Sequence, residues 1–175
     1  GAVLNIASDH LGLKGIDTLE QLAEVKRVVV EVAKDCAVLN ADDPNVLKMS
    51  AYTDAKTVCY VTMNPSHALV REHIRAGGRA CALEAGVNGH MITLYDKGSH
   101  IPLMWTHLIP ATLEGPALHN VQNAVFATAK QGAKAHKYAH RLGWKPKLTV
   151  GNAAASSAVV LGDAIEGEAR EVGKV

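Results

Sequence analysis

The sequence predicts an α/β domain: a mostly parallel sheet flanked by helices, with an antiparallel margin. Three observations predict it. Between residues 2 and 78, short apolar runs alternate with amphipathic segments of helix length, the βαβα pattern of parallel strands joined by crossover helices. From Ala80 onward the apolar runs follow one another with only turns between them, as antiparallel strands do. Small polar clusters sit where apolar runs end, and open α/β sheets build their sites at strand ends.

Taken in order, residues 2–6 form a short buried strand, followed by the polar turn Ala7-Ser8-Asp9-His10. Asp17 or Thr18 is placed to cap a helix reaching about Ala33, with Leu19, Leu22, Ala23, Val25 and Val29 on its apolar face. Residues 36–40 are the next strand, and Ala41-Asp42-Asp43-Pro44 turns into a short helix through Val46, Leu47 and Met49. The β-branched and aromatic run at 57–63 is a further strand. A helix through Leu69, Val70 and Ile74 then stops at Gly77-Gly78. Residues 80–84, 90–95 and 101–105 are the antiparallel strands, the last two joined by the hairpin turn Asp96-Lys97-Gly98-Ser99. A helix from Ala117 or Leu118 carries Val121, Ala124, Val125 and Ala129 inward and continues to about Leu142 with Lys and His outward.

A chain of 175 residues that is 48% hydrophobic can bury one ordinary core. Eighteen basic against seventeen acidic side chains leave a formal charge of +1, so electrostatics make no case for nucleic acid or a membrane surface as partner. No apolar run approaches the ~20 residues needed to cross a bilayer. Cys36, Cys59 and Cys81 are odd in number and far apart, each in an apolar stretch. They are expected as reduced, buried thiols of a cytoplasmic protein. The strand-like start without Met leads to the expectation that the chain begins inside a domain.

Three constellations carry chemistry. The first is Asn5-x-x-x-Asp9-His10, with Lys26 on the following helix. Asp9 and His10 can serve as a turn and cap, or the imidazole can ligate a metal ion while the carboxylate orients a ligand. Lysine beside a cation needs a reason, because an ammonium repels it unless it pairs with an anion or is converted to an acid. The second is Asn40-Ala41-Asp42-Asp43-Pro44, where Asp42 can accept from the exposed N–H groups of the helix start without any ligand. The third is Gly115-Pro116-Ala117-Leu118-His119-Asn120-Val121-Gln122-Asn123-Ala124. Asn120 can be a cap, whereas Asn120 and Asn123 together can present amide donors and acceptors from one helix face to an adenine edge.

The string NIASDHLG, the helix lysine, VLNADDP and the G-x-x-HN-x-x-N-x-x-A pattern together resemble the central domain of Mur ligases. The resemblance implies ATP-dependent amide bond formation through an acyl phosphate, with Mg²⁺ held by His10 beside Asp9. It also implies that Lys26 is carbamylated to support a metal, that Asp42 lies near the nucleotide, and that His119, Asn120 and Asn123 contact the ATP base and ribose. Within that family, LNIASDHLGLKGIDTLEQLAEVKRVVVEVA and NGHMITLYDKG resemble the branch that attaches arginine to an aspartate polymer, the cyanophycin synthetases. ATP, arginine and aspartate polymer are then the implied partners.

The sequence also departs from that family. No G-x-x-G-K-[ST] loop occurs to cradle phosphates, and Pro116 stands where Arg is expected. The resemblance covers residues 1–129 and stops at Lys130-Gln131-Gly132-Ala133, so 130–175 is expected to be an unmatched helical or partly disordered tail. The expectation is therefore a partial ligase domain, inactive alone. Its alternatives are a non-catalytic binding or assembly module that forms a homo-oligomer, and a half-enzyme completed by a partner that supplies the phosphate loop.

Overall fold

The structure, a computed structural model, describes residues 1–8, 11–12, 15–109 and 117–141, with 131–141 described as backbone alone. Six strands form one sheet in sequence order: β1 (Ala2–Val3), β2 (Cys36–Asn40), β3 (Thr57–Thr62), β4 (Arg79–Gly86), β5 (Gly89–Asp96) and β6 (Ser99–Trp105). The first four are mutually parallel; β5 and β6 run antiparallel and form the expected margin. The helices are α1 (Leu19–Glu31), α2 (Pro44–Leu47), α3 (Ala68–Arg75) and α4 (Leu118–Arg141).

Alternation along the strands divides the core between the two faces of the sheet. Ala37, Leu39, Tyr60 and Ala80 point to one side, where Leu22 and Val30 of α1, Val46 of α2 and Val70 of α3 cover them. Val38, Cys59, Val61, Cys81, Leu83, Ile92 and Leu94 point to the other, beneath Val121, Val125, Phe126 and Ala129 of α4. Cys59 and Cys81 are buried free thiols and Cys36 is half-buried; burial pushes the Cys81 thiol up to about 12, so it packs as a small hydrophobe.

Local chemistry explains the boundaries. Thr18, not Asp17, caps α1, its hydroxyl accepting from Gln21 N while the Gln21 side chain reaches back in a capping box. Gly77, at φ 82°, ends α3 in the left-handed conformation that glycine adopts without penalty. The Asp96–Ser99 turn has positive φ at both Lys97 and Gly98, as a tight hairpin between twisted strands requires.

Two expectations are corrected. β1 stops at Val3 rather than Ile6 because the next backbone groups bond to side chains and not to β2: the Leu4 carbonyl accepts from Asn40 Nδ2 at 2.7 Å, and Ile6 N donates to Asp43 Oδ2 at 2.7 Å. On α1, Val25 and Val29 face outward. With Val28 and Val32 they form an exposed stripe at the i, i+3, i+4, i+7 spacing of one helix face. Of the expected tail over 130–175, the backbone through Arg141 continues α4, and residues 142–175 lie outside the described residues.

Candidate functional site

The carboxyl ends of β1, β2 and β3 are tied together by the side chains of Asn40, Asp42 and Asp43. Asn40, 3% exposed, donates to the Leu4 carbonyl and accepts from Asp42 N at 3.0 Å. Asp42 spends both carboxylate oxygens on β3: Oδ1 accepts from Thr62 Oγ1 at 2.5 Å and Oδ2 from Met63 N at 2.7 Å. Asp43 caps α2, accepting from Asn45 N at 2.9 Å and Val46 N at 3.3 Å, and its other oxygen takes Ile6 N. The helix cap is thus Asp43, not Asp42. Pro44 at the first helical position carried that information in the sequence, since the residue before such a proline is the cap. Asn40 stood in the second constellation with no role given to it and Thr62 was not singled out, yet both fix where the loops leave the sheet.

Lys26 comes to the same place. Its Nζ donates to the Asn5 carbonyl at 3.2 Å, so the helix lysine reaches the loop that follows β1. The adjacent Arg27 points elsewhere: it pairs with Glu31 at 2.6 Å, and its guanidinium lies 4.1 Å from the centre of the Tyr52 ring. Asp9 and His10 lie outside the described residues, as do Gly115 and Pro116. Among the described residues no group of three His, Cys, Asp or Glu side chains converges to hold a metal ion, so these residues do not by themselves fit a metal centre.

On the other face of the sheet, the start of α4 stands over a cavity of about 640 Å³ floored by Met63 and Leu83 and walled by His90, His119 and Gln122. His119 therefore borders a space large enough for a nucleobase. Asn120 and Asn123 are exposed and lie three positions apart on an adjacent strip of α4, outside that cavity's lining.

A further polar cluster was not seen in the sequence. Glu84 of β4 accepts from Thr93 Oγ1 at 2.7 Å, from the Tyr95 hydroxyl, and from His100 Nε2 at 2.9 Å. Burial alone would raise the Glu84 carboxyl; hydrogen bonds from His100, Tyr95 and Thr93 outweigh it and hold the group down at about 2. The bond to Glu84 raises His100 against the opposing effect of burial. Burial, then the same carboxylate, raises Tyr95.

The Mur ligase middle domain, as a family, matches residues 1–130. This chain belongs to that family. Among curated proteins, the Mur ligase middle domain seen here is similar to the cyanophycin synthetases of Synechocystis sp. (42% identical over 129 residues), Trichormus variabilis (45% over 136) and Nostoc sp. (44% over 136). Each alignment covers 73% of this chain and 14% of the relative, so the chain spans about one seventh of the length of the curated relatives it matches. The six-stranded, mostly parallel sheet with its antiparallel margin is the α/β fold that this family membership implies. No helix among the described residues is long and apolar enough to cross a membrane.

Proposed function

We propose that this chain forms one wall of the nucleotide and metal cleft of an ATP-dependent amide ligase that adds arginine to an aspartate polymer, and that it does not turn over unaided. The observation that carries this reading is the contact of Lys26 Nζ with the Asn5 carbonyl. It brings the helix lysine to the strand end that leads into Asp9-His10, within the 1–130 match to the family. Lys26 is held where a charged group can act on that loop, and its carbamylation would exchange a cation-repelling ammonium for a carboxylate. Asn40, Asp42 and Asp43 keep three strand ends in fixed register, so that the chain leaving β1 through Asn5 is anchored beside the helix that carries Lys26. His119, Asn120 and Asn123 offer imidazole and amide groups for a base at the start of α4. When bound, ATP with Mg²⁺ would supply the phosphoryl group that activates a carboxylate. No G-x-x-G-K-[ST] run is present among these 175 residues to grip it, so preorganised stabilisation of the transferring group is missing.

The test is a coupled ATPase and ligation assay on the purified chain with aspartate polymer, arginine and Mg²⁺. Background rates are expected, with activity restored only when polypeptide carrying a phosphate loop is added. Robust turnover by the chain alone would refute the proposal.

A second reading, an assembly module of a cytoplasmic homo-oligomer, is favoured by the valine stripe on α1. Four valines on one helix face, 44–63% exposed, form a contiguous apolar surface of the kind that drives association. Light scattering that returns a monomer across the micromolar range removes this reading.

A further inference from the structure

We propose that a small cavity on the α1–α3 face of the sheet binds the head group of a small α-amino acid, its carboxylate on Arg71 and its ammonium on Glu84. The cavity, of about 120 Å³, lies between α3 and the carboxyl ends of β3 and β4, the region where open α/β sheets form their crevices. Arg71, Ile74 and Arg75 of α3 form one wall, and Thr62, Ala82, Glu84 and Tyr95 of the sheet form the other. The volume equals that of about four waters at ~30 Å³ each, enough for an amino and a carboxyl group on one carbon with the side chain directed to solvent.

Its charges are arranged unusually. Glu84 is ionised and held rigid by Thr93, Tyr95 and His100, which fill three of the roughly four acceptor positions of a carboxylate and leave one. Arg71 makes no ion pair among the described residues, and its hydrogen bond to the Pro65 carbonyl is a long 3.4 Å. One turn further along α3, Arg75 is by contrast paired with Glu72 at 3.0 Å. Arg71 and Glu84 thus line the same cavity with opposite charges and do not pair with each other.

A zwitterion spans them. The guanidinium fork matches a carboxylate, and the open position on Glu84 accepts one N–H of an ammonium. A simple anion would meet Glu84, and a simple cation would meet Arg71, so the pair discriminates against both. The site is on the opposite side of the sheet from the α4 cavity and does not depend on ATP or metal.

Backbone-amide NMR titration of the whole chain with glycine, L-alanine, acetate and methylammonium tests this. Glycine and alanine are expected to shift resonances at Arg71, Ile74, Glu84 and Tyr95 with saturation in the millimolar range, and acetate and methylammonium to bind about tenfold more weakly. Arg71→Gln, a change at an exposed position that leaves the core intact, is expected to weaken glycine binding about tenfold, with an unchanged far-UV spectrum. Ile74→Phe keeps both charges but fills the cavity and is expected to abolish binding. Acetate that binds as well as glycine, glycine binding that survives Ile74→Phe, or the absence of any saturable shift would overturn the proposal.

Discussion

The two halves of the sheet use polar side chains in opposite ways. At the carboxyl ends of β1, β2 and β3, the side chains of Asn40, Asp42 and Asp43 bond mostly to backbone groups, replacing ladder bonds that the strands no longer make. On the antiparallel margin β4, β5 and β6 pair along their lengths, with one register irregularity at Ile92/Thr93 of β5, and the Glu84 carboxylate bonds to the side chains of Thr93, Tyr95 and His100. The first arrangement fixes chain geometry, and its loss orphans part-buried backbone groups. The second fixes the state of one carboxylate, and its loss is felt as a change with pH. A family motif and an unmarked cluster thus sit on one sheet, and of the two the motif is the more structural.

The largest effect is expected at Asn40. Replacing it with Leu leaves the part-buried Leu4 carbonyl and Asp42 N–H without the partner that Asn40, 3% exposed, supplies to both. Each orphaned group costs about 1–3 kcal/mol, so Asn40→Leu should lose about 3 kcal/mol in urea denaturation. A loss below about 1 kcal/mol would mean that water or another side chain replaces these bonds, and the contrast between the two regions would fail. Next comes Asp43→Ala, which removes the α2 cap and the acceptor for Ile6 N, at a cost of about 2 kcal/mol. If the loss there is only that of an ordinary surface cap, about 1 kcal/mol or less, then Asp43 caps a helix and does not tie β1 to it.

What the sequence made legible follows the same division. The strands over 36–40 and 57–62, the hairpin turn at Lys97-Gly98 and the helix stop at Gly77 were readable because each depends on local conformation or on a run of one residue type. Lys26 was named through the resemblance to Mur ligases, and its Nζ reaches the Asn5 carbonyl after β1. The roles of Asp42 and Asp43 are separated by a single residue, and only Pro44 distinguishes them. The outward face of α1 was misjudged because the helix is apolar on two sides, so a search for one hydrophobic face gathers valines from both. Glu84, Thr93, Tyr95 and His100 left no pattern at all: they are brought together by the register of three strands, which no spacing along the chain encodes.

The smallest effect is also the sharpest test of the margin. Glu84 is held at about 2, against an ordinary value of 4.5, so its contribution to stability is present above pH 4.5 and is lost as pH falls toward 2. Allowing for partial exposure and solvent screening, that acid limb should amount to about 1 kcal/mol. His100 is raised above 6.5 by the same carboxylate, so its contribution has the opposite sign: present below pH 6.5 and lost as pH rises through the higher folded-state value. Because His100 is about half exposed, with a side-chain exposure of 49%, this limb should be a few tenths of a kcal/mol. Stability measured by urea denaturation should therefore be greatest between about pH 4.5 and 6.5 and fall on both sides. Glu84→Gln should flatten both limbs together, whereas His100→Gln should flatten the upper one and shrink the acid limb without abolishing it, since His100 is the foremost of the three partners and Tyr95 and Thr93 still hold the carboxylate. An acid limb that disappears completely in His100→Gln would show that the imidazole alone sets the charge of Glu84, and that the two hydroxyls merely pack against it.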